Sequence, residues 1–190
     1  MNILSEKAKR QIYNESSIKL IEDRISYARE AAKDAPHEQM MVVYLFGPQY
    51  GWIDLKLSSE GQDTLHIEFS ELCNPFPGMR LFLEQMATMD KDTVEYPFDS
   101  ERYRSYFRCE PLSDSEQCLF IACTDLESDP VFKIIGNAKD MALKLYAELT
   151  HFMSADHVNG PDFGCWWEPD ECTDTEEYES REEEFDKNVA

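Results

Sequence analysis

Basic residues are scarce in this chain. Eighteen Lys and Arg stand against 39 Asp and Glu among 190 residues, a formal net charge of −21. Such a field repels nucleic acid and anionic membrane and attracts basic surfaces over a Debye length of about 8–10 Å. Direct DNA or RNA binding is therefore not expected. Long apolar runs are also missing: the longest, Met40 to Phe46, stops at Gly47-Pro48, far short of the roughly 20 residues that a membrane-spanning helix needs. The first ten residues bring Glu6, Lys7, Lys9 and Arg10 with no apolar stretch behind them, so no secretory leader is expected. Glycine is sparse as well. Seven are present and none form G-x-G, which removes the phosphate-cradling loops of nucleotide-binding proteins.

Catalytic and metal signatures are absent in the same way. No G-x-S-x-G elbow and no papain-like cysteine context occurs, so no nucleophile comes with a visible base. The nearest approaches to ligand pairs are Cys118-x4-Cys123, His151-x5-His157 and Cys165-x6-Cys172, and none has the close spacing that holds a structural zinc. Cys118 and Cys123 would also point to opposite faces of a strand. An EF-hand counted from Asp170 places Thr175 where glycine is needed and Arg181 where the closing glutamate belongs. Neither a metal nor a cofactor is expected. Six cysteines are an even number, but the chain is longer and richer in core residues than small disulfide scaffolds are. Cys109, Cys118 and Cys123 lie in strand-like runs, where a free thiol acts as a small apolar residue. Reduced, structural cysteines place the chain in the cytoplasm.

What is present is a core. Hydrophobic residues make up 42% and aromatics 12%, enough for one packed domain. Ile18, Ile21, Ile25, Ala28 and Ala32 form one helical stripe, while Leu4, Ala8 and Ile12 follow another phase, with Asn14, Ser16 and Ser17 between them as a kink or new N-cap. Pro36 ends this segment. Met40–Phe46, apolar on both faces, reads as a central strand, and Ile53/Leu55/Leu57 and Leu65/Ile67/Phe69 alternate with polar residues in two half-buried strands. After Asn74-Pro75 the pattern turns helical, with Met79, Phe82, Leu83 and Met86 on one face. Thr93–Phe98 and Arg102–Cys109 read as a hairpin and Cys118–Thr124 as another central strand. Asp125–Gly136 fits no pattern cleanly. Asn137, with Asp140 three residues on, opens a helix carrying Ala138, Met141, Ala142, Leu145, Leu149 and Phe152. The expected fold is α+β: a mostly antiparallel sheet of about six strands in two runs of three, with long helices packed on one face. The domain covers 1–153, including an N-terminal helical segment over 3–35, and 154–190 is an acidic extension with 13 acids and 2 bases.

Two features bear on function. On a strand, Arg102, Arg104, Tyr106 and Arg108 would share one face, either as a guanidinium stripe for an anion or as a row paired with carboxylates of neighbouring strands or the tail. In the tail, Trp166 and Trp167 precede Glu168, Asp170, Glu171 and Asp174. Aromatics inside an acidic rim suit a basic protein partner. Alternatively the tryptophans cover an open side of the core while Glu176 onward is solvated.

Phe69-Ser70-Glu71-Leu72-Cys73-Asn74-Pro75-Phe76 followed by Leu81-Phe82-Leu83, with Leu145–Leu149 and a nearby Trp pair, resembles small bacterial α+β proteins. Several of these serve as immunity partners of secreted toxins. The likeness spans about residues 40–168 and implies a binding role. The expectation is thus an acidic cytoplasmic binding protein, not an enzyme, that neutralises a basic partner such as a toxin nuclease; a general DNA mimic belongs to the same class. The alternative is an enzyme or small-ligand receptor with a pocket between sheet and helices, for which Arg102, Arg104 and His66 would be the first candidates.

Overall fold

The computed structural model describes residues 3–12, 14–34, 39–46, 52–70, 75–89, 92–112, 117–154 and 183–189. Ser5 Oγ accepts the Ala8 N–H at 3.2 Å and starts α1 (Glu6–Gln11). Asn14 restarts the chain: its side-chain oxygen accepts the Ser16 N–H at 2.9 Å and caps α2 (Glu15–Ala32). The change of apolar phase after Ile12 is therefore a change of helix. A meander follows, β1 (Met41–Leu45), β2 (Trp52–Ser59) and β3 (Leu65–Ser70), antiparallel in that order. Gly61 supplies the left-handed turn between β2 and β3 at φ +73°. After α3 (Phe76–Ala87) comes a second antiparallel meander, β4 (Val94–Asp99), β5 (Arg104–Pro111), β6 (Gln117–Thr124) and β7 (Phe132–Asn137). Asn137 then caps α4 (Ala138–Ser154), accepting the N–H groups of Lys139 and Asp140 at 3.0 and 3.2 Å.

The class is α+β and the sheets are antiparallel, as expected. Details differ in three places. Among the described residues there are seven strands in two sheets of three and four, because Phe132–Asn137, mostly within the stretch that fits no pattern cleanly, pairs with β6 as an edge strand. Met41–Leu45 is an edge strand of its sheet, not a central one; Val42 and Tyr44 are only half-buried. Helices also cover both faces of the four-stranded sheet. The reason lies in β5 and β6, which are apolar on both sides. Phe107, Cys109, Cys118, Phe120 and Ala122 face a core shared with α3, α4 and the inner face of the three-stranded sheet. Tyr106, Leu119, Ile121 and Cys123 face Ile12, Ile21, Ile25 and Ala28 of the N-terminal segment. Burying Ile21 and Ile25 completely stabilises by roughly 1.5–3 kcal/mol each.

Polar groups tie the layers at their edges. The Gln62 amide donates to Lys133 O at 2.7 Å and accepts the Lys133 N–H at 3.2 Å, pairing one sheet's turn with the other's edge. Glu148 of α4 accepts the Leu45 N–H at 2.7 Å on the β1 edge. Arg24 of α2, buried, donates to the carbonyls of Leu126 and, at 2.9 Å, Asp129. Pro97 sits in β4, where an edge strand tolerates its missing N–H.

Gly78 in α3 is required by close approach. A Cβ there would lie 2.5 Å from Tyr96 Cε2. That ring cannot swing away freely, because it stacks on Phe98 at 4.9 Å and its hydroxyl donates to Pro75 O at 2.6 Å. Gly78→Ala is expected to cost about 1–3 kcal/mol in urea unfolding, and much less in a Tyr96→Ala background; equal costs in both backgrounds would refute the contact.

Candidate interaction face

Alternation in β2 and β3 sends Ile53, Leu55, Leu57, Leu65, Ile67 and Phe69 into the core. The opposite residues, Trp52, Asp54, Lys56, His66 and Glu68, therefore stand together on the sheet's outer face. Register places Lys56 between Tyr44 and His66, and Asp54 beside Glu68. His66 Nε2 lies 3.2 Å from Asp54 Oδ1. The β4–β5 turn reaches this face from the other sheet. Glu101, at φ 67°, makes the turn, Arg102 lays its guanidinium 4.4 Å from the Trp52 ring, and Arg102 Nη1 lies 3.5 Å from Glu68 Oε2. Tyr103 OH accepts the Glu68 N–H at 2.7 Å, and burial pushes its phenol up to about 12.

The other end of this face is occupied by the chain's own acidic C-terminal stretch. Residues 183–189 are helical, and Phe185 is 3% exposed. Its ring meets Tyr44 edge-on at 5.6 Å and Phe46 at 6.3 Å, with Lys56 Nζ 4.8 Å from the Phe46 ring and 5.7 Å from that of Phe185. Asn188 donates to Tyr44 OH at 3.0 Å, and the Tyr44 phenol is raised by burial and by its hydrogen bond to Glu184. Glu183, Glu184 and Asp186 remain exposed around this anchor. The expectation that everything from Glu176 onward is solvated thus fails at Phe185: Tyr44 and Phe46 leave apolar surface on the outer sheet face, and one aromatic among acids covers it.

The arginine row divides. Arg102 is exposed and sits on the outer face of the other sheet. Arg104 is half-buried and bonds Asp99 at 2.5 Å across β4–β5. Arg108 is 5% exposed under the N-terminal helices. It contacts Glu95 and Glu110, and donates to Ile3 O at 2.9 Å. Glu110 also receives Arg29 through two nitrogens, at 2.8 and 2.7 Å. Burial pushes the Glu110 carboxyl up, but the bonds from Arg29 and Arg108 outweigh it and hold it below the usual range. Each arginine is thus committed to a carboxylate, and the three do not converge. The pairs join neighbouring strands, turns and helices of the domain.

Trp166, Trp167, Glu168, Asp170, Glu171 and Asp174 lie outside the described residues. Of the enzyme candidates, His66 and Arg102 share the outer sheet face while Arg104 stands on the other sheet. A groove of about 530 Å³ between α3 and α4, lined by Phe76, Arg80, Tyr146, Leu149 and Met153, holds none of them. Among the described residues no cluster of three His, Cys, Asp or Glu could hold a metal ion, and no helix is long and apolar enough to cross a membrane. Phe185, Tyr44 and Lys56 escaped the sequence reading; the signal was Phe185 itself, an isolated aromatic inside Glu182–Lys187.

No family model and no curated protein matches the chain. A solved structure, that of the plant transcriptional regulator PBF-2, is similar over 63% of this chain and 83% of its own, with 13% identity and a TM-score of 0.38. At that score the likeness carries no argument.

The ion pairs differ in expected weight. Arg108→Met takes the guanidinium away from buried Glu95, while Glu110 keeps Arg29, and should cost about 3–5 kcal/mol in denaturant unfolding. Arg102→Ala, at an exposed pair, should cost at most about 1 kcal/mol; equal effects would contradict the burial. His66 is raised by its hydrogen bond to Asp54, partly opposed by burial. A raised folded pKa stabilises fully below the ordinary value of about 6.5 and is lost as pH rises through the folded pKa. The stability gap between wild type and His66→Gln should therefore be larger at about pH 5.5 than at about pH 8. In parallel, Asp54→Asn should lower the His66 pKa followed by NMR titration.

Proposed function

We propose that this chain is an acidic cytoplasmic binding protein that neutralises a basic protein partner, with immunity against a toxin nuclease as its setting. The observation that carries the reading is the anchored C-terminal stretch. Phe185 is buried against Tyr44 and Phe46, so Glu183, Glu184 and Asp186 project from a defined surface and not from a free tail. Carboxylates already held in place give up less conformational freedom on binding. The arginine pairs do not cancel this field, since pairing moves charge about without changing the sum of −21. Acidic inhibitors of basic enzymes gain association rate from such a field, up to roughly 10⁸–10⁹ M⁻¹s⁻¹ at low salt.

The immunity setting draws on the resemblance at Phe69–Phe76, and the cytoplasmic assignment on the reading of the cysteines as reduced. A pocket enzyme, by contrast, needs polar groups converging in a cavity; His66 and Arg102 stand on an outer sheet face instead.

The test is surface-plasmon binding of the full chain to a panel of basic nuclease domains, with neutral proteins as controls, across ionic strength. A basic nuclease should bind with an on-rate that falls steeply as salt rises, and Phe185→Ala should slow that on-rate. Binding that ignores salt, or a panel without a single binder together with no basic protein recovered from host extract at low salt, would sink the proposal.

A further inference from the structure

Three sulfur atoms meet in the core on the α3/α4 side of the four-stranded sheet. Cys109, near the end of β5, and Cys118, near the start of β6, place their Sγ atoms 2.9 Å apart, and Met89 Sδ lies 3.4 Å from Cys109 Sγ. In the β5–β6 register Cys109 faces Phe120 and Cys118 faces Pro111, so the two cysteines sit diagonally across the strand pair. Both are buried, at 0% and 1% exposure.

We infer that Cys109 and Cys118 are a dithiol site that closes to a cross-strand disulfide. The separation is within about 0.9 Å of the covalent S–S length of about 2.05 Å. Two thiolates on one tetrahedral metal ion, with bonds of about 2.3 Å, would stand roughly 3.8 Å apart, so the distance alone does not choose between bridge and metal. Among the described residues no third His, Cys, Asp or Glu joins the pair to complete a metal site. Cys123 cannot compete, because it lies on the opposite face of β6 among Ile21 and Ile25. The inference does not depend on partner binding; a bridge that stays closed in the native host would instead remove the reduced-cysteine ground for the cytoplasmic assignment.

The oxidant is a small-molecule disulfide. One cysteine thiolate attacks an oxidant sulfur and expels one thiol, leaving a mixed disulfide. The second cysteine then attacks its neighbour's sulfur and expels the second thiol. The two cysteines lose two electrons and two protons in all, and both end on the two thiols released. In the closed fold this does not start: the hydrogen bond to Cys118 and burial push the Cys109 thiol well up, and no oxidant reaches it. Oxidation therefore proceeds through opening at the hairpin's end, where Leu112 N–H bonds Gln117 O at 3.0 Å.

The full chain, equilibrated with oxidised glutathione with and without urea below the unfolding transition, is alkylated in denaturant and peptide-mapped. A linked peptide joining Cys109 to Cys118 is expected, formed faster in urea and absent from Cys109→Ser. The oxidised chain should melt roughly 5–10 °C above the reduced one, with no such oxidant-dependent shift in Cys109→Ser. Because the linked peptide is read in the unsubstituted chain, the result does not require the variant to fold. Recovery of both cysteines fully alkylated after oxidation in urea, or their linkage only to Cys73, Cys123, Cys165 or Cys172, overturns the inference.

Discussion

A guanidinium taken out of water destabilises a fold by several kcal/mol unless carboxylates meet it in good geometry. Arg108 is in that position, pressed between β5 and the N-terminal helices, and its solution organises that side of the molecule. Glu95 comes from β4 in direct register, Glu110 from two residues along β5, and Ile3 O from the start of the chain. Each carboxylate then recruits a further group. Glu110 takes Arg29 of α2, and Glu95 takes the Tyr106 hydroxyl at 2.6 Å and the Ser5 N–H at 3.3 Å. One charge thus fixes α1, α2, β4 and β5 relative to one another. Apolar packing of Ile21 and Ile25 contributes roughly 1.5–3 kcal/mol each, while the ion network specifies the register in which it is gained.

On the other side of the molecule the constraint is an open sheet face. A three-stranded sheet with one face in the core leaves the other wet, and here that face carries Tyr44, Phe46 and Trp52 as well as charge. Arg102 covers Trp52 from the neighbouring hairpin, and Phe185 covers Tyr44 and Phe46 from the chain's own C-terminal stretch. Both covers bring charge with them. Apolar surface is removed from water while the outside becomes more densely charged, which joins the packing of this face to the electrostatic reading of the protein.

Much of the fold was legible from periodicity. The helical stripes of α2, α3 and α4, the caps at Asn14 and Asn137, and the β2–β3 alternation all emerged where the pattern put them, because each rests on contacts made within one element and on one buried face. β7 was not legible: Phe132–Asn137 follows a turn-rich stretch and mixes Lys133 and Gly136 with apolar residues, so only pairing with β6 identifies it. β1 was misjudged because an apolar strand reads the same whether its second face meets a core or a docked aromatic. Of the candidate site, the arginines were named but their burial was not. Arg102 and Arg108 lie six residues apart, and nothing local distinguishes the guanidinium on a surface indole from the one under two helices.

Sequence alone settled the α+β class, the antiparallel character of the sheets, the apolar stripes and caps of the long helices and the net charge, since these follow from side-chain periodicity, local capping and composition. Tertiary structure alone decided that the N-terminal helices cover the second face of the four-stranded sheet, that Cys109 and Cys118 rather than Cys123 come together, and that Phe185 returns to the first sheet. Those outcomes join residues about 10 to 140 positions apart in the chain. Contacts of that kind are set by which surfaces remain unburied once each element has formed, a quantity that no local window of sequence contains.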